Sequence, residues 1–262
     1  MPERSKSDIA YANAEFIPEG EAYPGRWAAA AAAFRDGVKL KELAVPYGAA
    51  PRQSYDMYHP DELAHGTVIF IHGGYWLRFD PHDFSHLGRG ALDAGLCFVM
   101  PRYTLAPDAR IGAIAREAAE AVAAIAQRTT GPLYLVGHSA GGHLVARVMC
   151  SDLAGEWASR VQRVLSISPV SDLAPLMATS MNADLRIDAE EAKAESPIDH
   201  AAPTARVTVW VGADERPVFL DQAQWLVAAW KAHHVVDEGR HHFDVIEGLE
   251  DHRSEMMAHL LS

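Results

Sequence analysis

A serine stands at the centre of the run Gly137-His138-Ser139-Ala140-Gly141, which follows an apolar stretch and precedes a helical pattern. Glycines two positions before and after a serine let a strand and a helix approach closely, so the hydroxyl projects from a sharp, strained turn. The amide of Ala140, at the start of the helix, is then aimed at a developing oxyanion. The pattern predicts Ser139 as a nucleophile for acyl transfer.

A second glycine pair, His72-Gly73-Gly74, directly follows the apolar run Thr67–Ile71. A tetrahedral intermediate needs at least two N–H donors, and glycines allow the backbone to turn such donors inward. We therefore expect Gly73 and Gly74 to form an oxyanion hole together with Ala140.

Two aromatic residues, Tyr75 and Trp76, come next in the chain. Their position places them at the mouth of the predicted site. They line an aromatic substrate pocket, or they pack the loop; the sequence alone does not separate these alternatives. We carry both residues forward as candidates for substrate binding.

An acid and a histidine should follow the serine in chain order. The predicted strand at 207–211 leads to the adjacent carboxylates Asp214 and Glu215, and either type can hold a catalytic histidine. His241 and His242 lie in the loop after a predicted strand at 235–238. Spacing therefore leaves two candidates for the acid and two for the base.

The remaining histidines are assigned no catalytic role. His252 falls inside the last helical pattern, which favours a surface position. His233 and His234 join the pair at 241–242 in a histidine-rich region, but no helical i, i+4 pair such as H-E-x-x-H occurs there. We expect no metal site and no cofactor.

Strand and helix patterns alternate over most of the chain. Strands are predicted at 38–47, 53–58, 67–71, 96–100, 133–136, 161–167, 207–211 and 235–238, and helices at 27–35, 83–94, 111–127, 141–150, 218–232 and the carboxyl end. This alternation predicts an α/β fold with a mostly parallel sheet of about eight strands and helices on both faces. Residues 1–262 are interpreted as one domain, with an irregular amino-terminal arm (1–23) and a small cap (roughly 171–203).

Composition limits the partners. The chain has 262 residues and a formal net charge of -12, so nucleic acid and anionic lipid are disfavoured and a small-molecule substrate is expected. No signal-peptide pattern or membrane-spanning run is evident, which favours the cytoplasm. Cys97 and Cys150 lie in apolar patterns and are interpreted as buried thiols rather than a disulfide.

The motifs together resemble one family. They are similar to the α/β-hydrolase branch of the kynurenine formamidases (arylformamidases), which is related to the hormone-sensitive-lipase-like esterases. The runs that carry the resemblance are HGGYW at 72–76, YTLAPDA at 103–109, GHSAGGH at 137–143, SPVSDLAPL at 168–176, VGADERPVF at 211–219 and HHFDVIEGL at 241–249.

The resemblance implies an α/β-hydrolase fold, a Ser-His-acid triad and no cofactor. It implies His242 as the base, because the family histidine precedes a phenylalanine. It favours Glu215 as the acid, at a position where the family carries aspartate, with Asp214 as the neighbouring alternative. The implied reaction is hydrolysis of an aryl formamide such as N-formylkynurenine in tryptophan catabolism. Separately from the resemblance, a homodimer is carried forward as an expectation about partners.

Other functions remain open at this point. A carboxylesterase or thioesterase would use the same triad on small acyl esters. A non-catalytic binding protein on a hydrolase scaffold typically loses the serine or the histidine, and this chain keeps both. A metal-dependent amidase is the weakest alternative.

Overall fold

Eight strands form a single sheet in a computed structural model of the chain, which describes residues 4–262. The strands are β1 Lys41–Pro46, β2 Ser54–Tyr58, β3 Thr67–Ile71, β4 Cys97–Pro101, β5 Leu133–His138, β6 Val161–Ile167, β7 Arg206–Gly212 and β8 His233–Asp237. Their order across the sheet is β1-β2-β4-β3-β5-β6-β7-β8. β1 pairs antiparallel with β2, β2 pairs antiparallel with β4, and the pairs from β4 to β8 are parallel. The predicted fold class is confirmed.

Helices connect the parallel strands and cover both faces of the sheet. They are α1 Lys6–Ala10, α2 Tyr23–Gly37, α3 Arg89–Asp93, α4 Ile111–Arg128, α5 Ala140–Arg147, α6 Asn182–Leu185, α7 Ala189–Glu195, α8 Pro217–Trp230 and α9 Glu255–Leu261. Short 3-10 turns occupy Ala14–Phe16, Gly20–Ala22, Pro81–Asp83, Ser85–Gly88, Glu156–Arg160, Ala174–Ala178, Pro197–Asp199 and Val245–Glu250. Over residues 4–262, no helix combines the length and apolar character needed to cross a bilayer.

The central strands are buried on both faces. In β3, Ile69 and Ile71 point into one apolar layer, and Val68 and Phe70 point into the other. This alternation follows from the two-residue period of a strand. α4 and α5 pack on the first layer, and α2 and α9 pack on the second. β3 and β5 are therefore held rigidly at the positions from which the glycine-rich turns leave the sheet.

Tertiary contacts shift several predicted boundaries. The helix predicted at 83–94 is instead two 3-10 turns followed by the short α3. Gly88 and Gly90 weaken a continuous helix here, because glycine is a poor helix former. Both are packed closely: a Cβ on Gly88 would lie 2.4 Å from the Phe98 ring, and one on Gly90 would lie 2.4 Å from a backbone oxygen of Leu249. β1 starts only at Lys41, because α2 continues through Gly37.

The end of the chain contains a further correction. His252 lies in a turn before α9 and not inside the helix, although its side chain is exposed as expected. Ser254 is the reason, since its side chain accepts a hydrogen bond of 3.0 Å from the Met257 amide and so caps α9. The helix therefore begins at Glu255.

The amino-terminal segment is more ordered than the predicted irregular arm. Residues 1–3 of that segment lie outside the described residues. From Arg4 onward it contains α1 and two 3-10 turns. Ser5 and Asp8 form a reciprocal capping box at the start of α1, and Tyr11 and Ile17 are buried. The burial of these two side chains therefore fixes this segment against the rest of the protein.

The region predicted as a cap, 171–203, is built from short helices and turns. It contains α6, α7 and two of the 3-10 turns. Its buried Leu173, Leu176 and Leu185 belong to the same apolar cluster as Ile69 and Ile71 of the sheet. The side chains of this region therefore complete the core as well as covering it.

The two cysteines are buried and are not joined by a disulfide, as predicted. Burial raises the pKa of both thiols, that of Cys150 to about 11. Both side chains are therefore neutral at pH 7.

A buried ion pair joins the antiparallel edge to the parallel sheet. Asp56 of β2 is fully buried and accepts two hydrogen bonds of 2.9 Å from Arg102. Asp56→Ala removes both of these bonds and leaves the partly exposed Asp80, 3.1 Å from Nε, as the remaining carboxylate partner of the guanidinium. We therefore expect the free energy of unfolding to fall by about 3 kcal/mol in urea denaturation, the low end for a broken buried pair. Arg128→Gln, which removes a half-exposed ion pair with Glu42, is the control and should cost less than about 1 kcal/mol. Equal losses in the two variants would contradict this assignment.

Candidate active site

Ser139 occupies the sharp turn between β5 and α5. Its backbone has φ 56° and ψ -117°, a strained conformation for a residue with a Cβ atom. A Cβ on Gly137 would lie 2.1 Å from the Gly141 carbonyl oxygen, and one on Gly141 would lie 1.9 Å from that of Ile71. The glycines at these two positions therefore allow the crossing of strand and helix that holds the serine in place.

The loop after β3 lies directly against this turn. A Cβ on Gly73 would lie 2.9 Å from the Ser139 Cβ and 2.8 Å from the His138 carbonyl oxygen. Gly74 has φ +101°, which L side chains rarely adopt. Within residues 4–262, no acceptor is paired with the amides of Gly73, Gly74 or Ala140. Three free N–H donors are thus available close to the serine.

Glu215 and His242 are in direct contact. His242 Nδ1 lies 2.6 Å from Glu215 Oε2, and both side chains are almost completely buried. Asp214 is exposed, and its amide donates to the Arg240 carbonyl oxygen at 2.9 Å. The structure therefore brings Glu215 into contact with the histidine and leaves Asp214 on the surface.

The Glu215 carboxylate has two further partners. Its Oε1 accepts a hydrogen bond of 3.0 Å from the Gly212 amide and a very short one from the Ser168 hydroxyl. Ser168 has φ 46°, and its amide donates to the Trp210 carbonyl oxygen at 2.7 Å. Sequence reasoning missed the role of Ser168, although the run that begins with it directly follows β6. These bonds fix the orientation of the carboxylate toward His242.

The neighbouring histidine, His241, points elsewhere. Its Nε2 lies 3.2 Å from the Tyr23 hydroxyl, and its Nδ1 accepts hydrogen bonds from the amides of Phe243 and Asp244. Of the histidines considered, His242 therefore shares the cavity with Ser139. The side chains of His242 and Ser139 are not at hydrogen-bonding geometry with each other. Contacts of this kind often tighten only when substrate binds.

His138, which sequence reasoning also missed, supports the base. Its Nε2 donates a hydrogen bond of 2.9 Å to the His242 carbonyl oxygen, and the two rings are 4.7 Å apart. Burial and the nearby His242 ring hold the pKa of His138 well below its usual range. His138 therefore stays neutral at pH 7 and holds the backbone of the base without adding charge. Its place between Gly137 and Ser139 was the available signal.

A cavity of about 380 Å³ opens above the serine. Ser139, His242, Gly73 and Gly74 form its floor. Aromatic side chains supply much of the wall: Tyr11, Tyr75, Phe79, Phe84 and Phe243. The amino-terminal segment contributes Arg4, Asp8, Tyr11, Ala12, Asn13, Ala14, Glu15, Gly20, Glu21 and Pro24, and the predicted cap contributes Ser180 and Met181. The segment that the sequence predicts as an irregular arm thus builds a large share of the pocket.

Tyr75 and Trp76 separate into the two alternatives left open by the sequence. Tyr75 lines the cavity, and its hydroxyl donates to the Tyr11 carbonyl oxygen at 2.7 Å. Trp76 is 0% exposed and packs edge-on against the buried His143 ring, with centroids 5.0 Å apart. Trp76 does not line the cavity, so its predicted contact with substrate is corrected to packing beneath the loop.

Within the described range 4–262, no group of three or more His, Cys, Asp or Glu side chains is arranged to hold a metal ion. A buried acid–histidine pair, a strained serine and free amide donors are the components of nucleophilic acyl transfer.

The profile of the α/β hydrolase fold family matches residues 68–242, about two thirds of the chain. The chain therefore belongs to this family, and the protein is a hydrolase.

Several known proteins are similar to it. Kynurenine formamidase of Danio rerio is 28% identical over 224 residues, covering 79% of this chain and 76% of that protein. The Drosophila melanogaster enzyme is 23% identical, covering 81% and 77%. A crystal structure from Silicibacter sp. TM1040, provisionally named a thioesterase, is 45% identical with a TM-score of 0.96, covering 98% of this chain and 99% of that one. The resemblance seen in the sequence is confirmed.

Replacing the two neighbouring carboxylates by amides, one at a time, tests which of them is the acid that holds His242. Glu215→Gln should lower kcat by about 10³-fold to 10⁴-fold, because the amide no longer stabilises a protonated histidine. Asp214→Asn should leave kcat within about twofold of the parent, since its side chain is exposed. Steady-state hydrolysis of p-nitrophenyl acetate measures both. The reverse ranking would place Asp214 in the site.

A methyl group tests the contact between the loop and the serine. Gly73→Ala places a Cβ 2.9 Å from that of Ser139, so the loop must move away and the donor with it. We expect kcat to fall by about 10²-fold or more, the typical loss for one misplaced oxyanion donor. Gly25→Ala, whose new Cβ meets nothing within 4 Å, is the matched control. Full activity in Gly73→Ala would show that the loop takes no part in catalysis.

Proposed function

We propose that the protein hydrolyses an aryl formamide such as N-formylkynurenine, with Ser139 as nucleophile, His242 as base and Glu215 as acid. The observation that carries this proposal is the position of the serine and the buried histidine–glutamate pair at the floor of an aromatic-walled cavity. Aromatic walls suit the aryl leaving group. The similarity to proteins named kynurenine formamidase supports the same substrate class.

The first half of the reaction forms a formyl-enzyme. Glu215 holds the Nδ1–H of His242, so that Nε2 is free to take the Ser139 proton as Oγ attacks the formyl carbon. The negative charge that develops on the formyl oxygen is stabilised by the amides of Gly73, Gly74 and Ala140. His242 then protonates the aniline nitrogen, and the C–N bond breaks.

The second half releases formate. His242 removes a proton from water, the resulting hydroxide attacks the formyl ester, and Ser139 recovers its proton as the ester bond breaks. The net reaction consumes one water and yields formate and the free arylamine. The residues named in the mechanism supply each proton transfer, and no cofactor is invoked.

Hydrolysis of a small acyl thioester is a second candidate. It is favoured by one specific observation, the 45% identity to the structure provisionally named a thioesterase. The same nucleophile, base and oxyanion donors would serve that reaction. The two candidates differ in the leaving group, a thiol in one and an arylamine in the other.

Two finer expectations from the sequence stay predictions. These are the homodimer and the location in the cytoplasm. A small-molecule substrate, by contrast, is what the family and the size of the cavity indicate.

A substrate panel separates the candidates. N-formylkynurenine, p-nitrophenyl acetate and acetyl-coenzyme A are compared with parent protein and Ser139→Ala. We expect the highest kcat/KM for the formamide, and a loss of about 10⁴-fold or more in kcat for the variant on every substrate that is turned over. A thioester preferred over the formamide would transfer the assignment to the thioesterase. Unchanged turnover in Ser139→Ala would remove the proposed nucleophile.

A further inference from the structure

Five charged side chains line the active-site cavity, and three of them already have partners. Arg4 donates two hydrogen bonds of 2.8 Å to the carboxylate of Glu15. Asp8 accepts hydrogen bonds from the amide of Ser180 at 2.6 Å and from Ser5. These contacts lower the pKa of Asp8 to about 2, so it is ionised and stabilised in place. These three groups are therefore engaged in holding the wall of the cavity together.

The fourth charge is Arg78. Its side chain is exposed at the cavity, and within residues 4–262 no acceptor is paired with its guanidinium group. The positive charge of Arg78 acts on the Tyr75 hydroxyl. Burial raises the pKa of this hydroxyl, and Arg78 partly offsets the increase. A cation whose guanidinium N–H donors have no partner among the described residues thus lines the cavity.

The backbone that carries Arg78 is strained and well anchored. Tyr75, Trp76 and Phe79 have φ of 54°, 57° and 80°, although none is a glycine. Each such residue costs on the order of 1–3 kcal/mol, and such strain persists where surrounding contacts hold it and is concentrated at functional sites. Here the contacts are the burial of Trp76 and the hydrogen bond from Tyr75 to the Tyr11 carbonyl oxygen. Arg78 therefore lies on a loop whose backbone is preorganised.

The same loop includes the glycines beside the serine. A Cβ on Gly74 would lie 2.6 Å from the Arg78 carbonyl oxygen, so the two segments of the loop are in direct contact. A group bound by Arg78 is consequently positioned by the loop that offers amides to the developing oxyanion.

We propose that Arg78 binds a carboxylate on the leaving group of the substrate. A planar guanidinium group matches a carboxylate with two parallel hydrogen bonds. The inference rests on the proposed function, because it assigns the amino-acid end of a formylkynurenine-like substrate to this part of the cavity. Arg78 is a specificity-determining residue in this assignment, and it takes no part in the proton transfers.

Charge considerations favour this occupant. The proposed substrate is an amino acid with one carboxylate and one ammonium group, and in a chain with a formal net charge of -12 its carboxylate needs a local cation. Glu21 is the fifth lining charge, and no cation within the described chain is paired with it. A carboxylate at Arg78 is therefore compatible with an ammonium group in the same cavity, which is the charge pair of an α-amino acid.

Two probes that differ in one group test the proposal without turnover. Kynurenine and kynuramine share the aminophenyl ketone and the ammonium group, and only kynurenine has the carboxylate. Their dissociation constants are measured by isothermal titration calorimetry on parent protein, Arg78→Gln and Arg253→Gln. Arg253 has a side chain that is 78% exposed and lies outside the cavity, so its variant controls for the change in net charge.

The parent protein should bind kynurenine about 10-fold to 100-fold more tightly than kynuramine, as expected for one charge-assisted contact. Arg78→Gln should abolish this preference, and Arg253→Gln should keep it. Equal binding of the two probes by the parent protein, or a preference that survives in Arg78→Gln, would overturn the proposal. Failure to bind kynurenine would do so as well.

A kinetic measurement separates this inference from the proposed function. The ratio of kcat/KM for N-formylkynurenine to that for the uncharged formanilide should fall about 10-fold to 100-fold in Arg78→Gln, mainly through KM. Arg78→Lys should lie between, because it keeps the charge and loses the planar fork. Formamide turnover with an unchanged ratio would refute only the role of Arg78. Absence of formamide turnover would refute the proposed function, and the binding experiment would still decide on Arg78.

Discussion

The close approach of three backbone segments around Ser139 is the constraint on which the site depends. β5 and α5 cross next to the end of β3, and at 73, 137 and 141 a side chain would collide with backbone or with the serine itself. The rigid sheet sets this approach, because β5 lies between β3 and β6. The strain in the serine backbone is thus maintained by buried strands, and the hydroxyl and the free amides share one small volume.

This constraint also explains what the sequence could predict. Glycines occur where two backbone segments pack too closely for a side chain. The nucleophile turn and the loop after β3 were therefore recognisable from local patterns. The choice between Asp214 and Glu215 was not, because adjacent residues differ only in which way the turn orients them. The hydrogen bond from the Asp214 amide to Arg240, together with the bonds from Gly212 and Ser168 to Glu215, sets that orientation. Those partners lie up to 47 positions away in the chain.

The amino-terminal segment shows the same limit more strongly. Nothing in residues 4–24 predicts a pocket wall, because their fixed positions come from contacts with distant residues. The Tyr11 hydroxyl accepts a hydrogen bond from Gln222, which is 211 positions away, and its carbonyl oxygen accepts one from Tyr75. The neighbouring Tyr75 and Trp76 likewise diverge, one into the cavity and one into the core. Periodicity could not separate them, since both have the same aromatic character.

The division of the pocket between a floor and a separately anchored wall has an evolutionary consequence. The chemical groups come from the sheet and its turns, where the glycine contacts leave little freedom to vary. Much of the wall comes from a short segment that precedes the first strand and contributes none of the proposed catalytic groups. Substitutions in this segment can change the shape of the cavity while the catalytic residues stay the same. Within this architecture, the residues that set substrate preference and those that carry out catalysis lie on different parts of the chain, so each property can evolve separately.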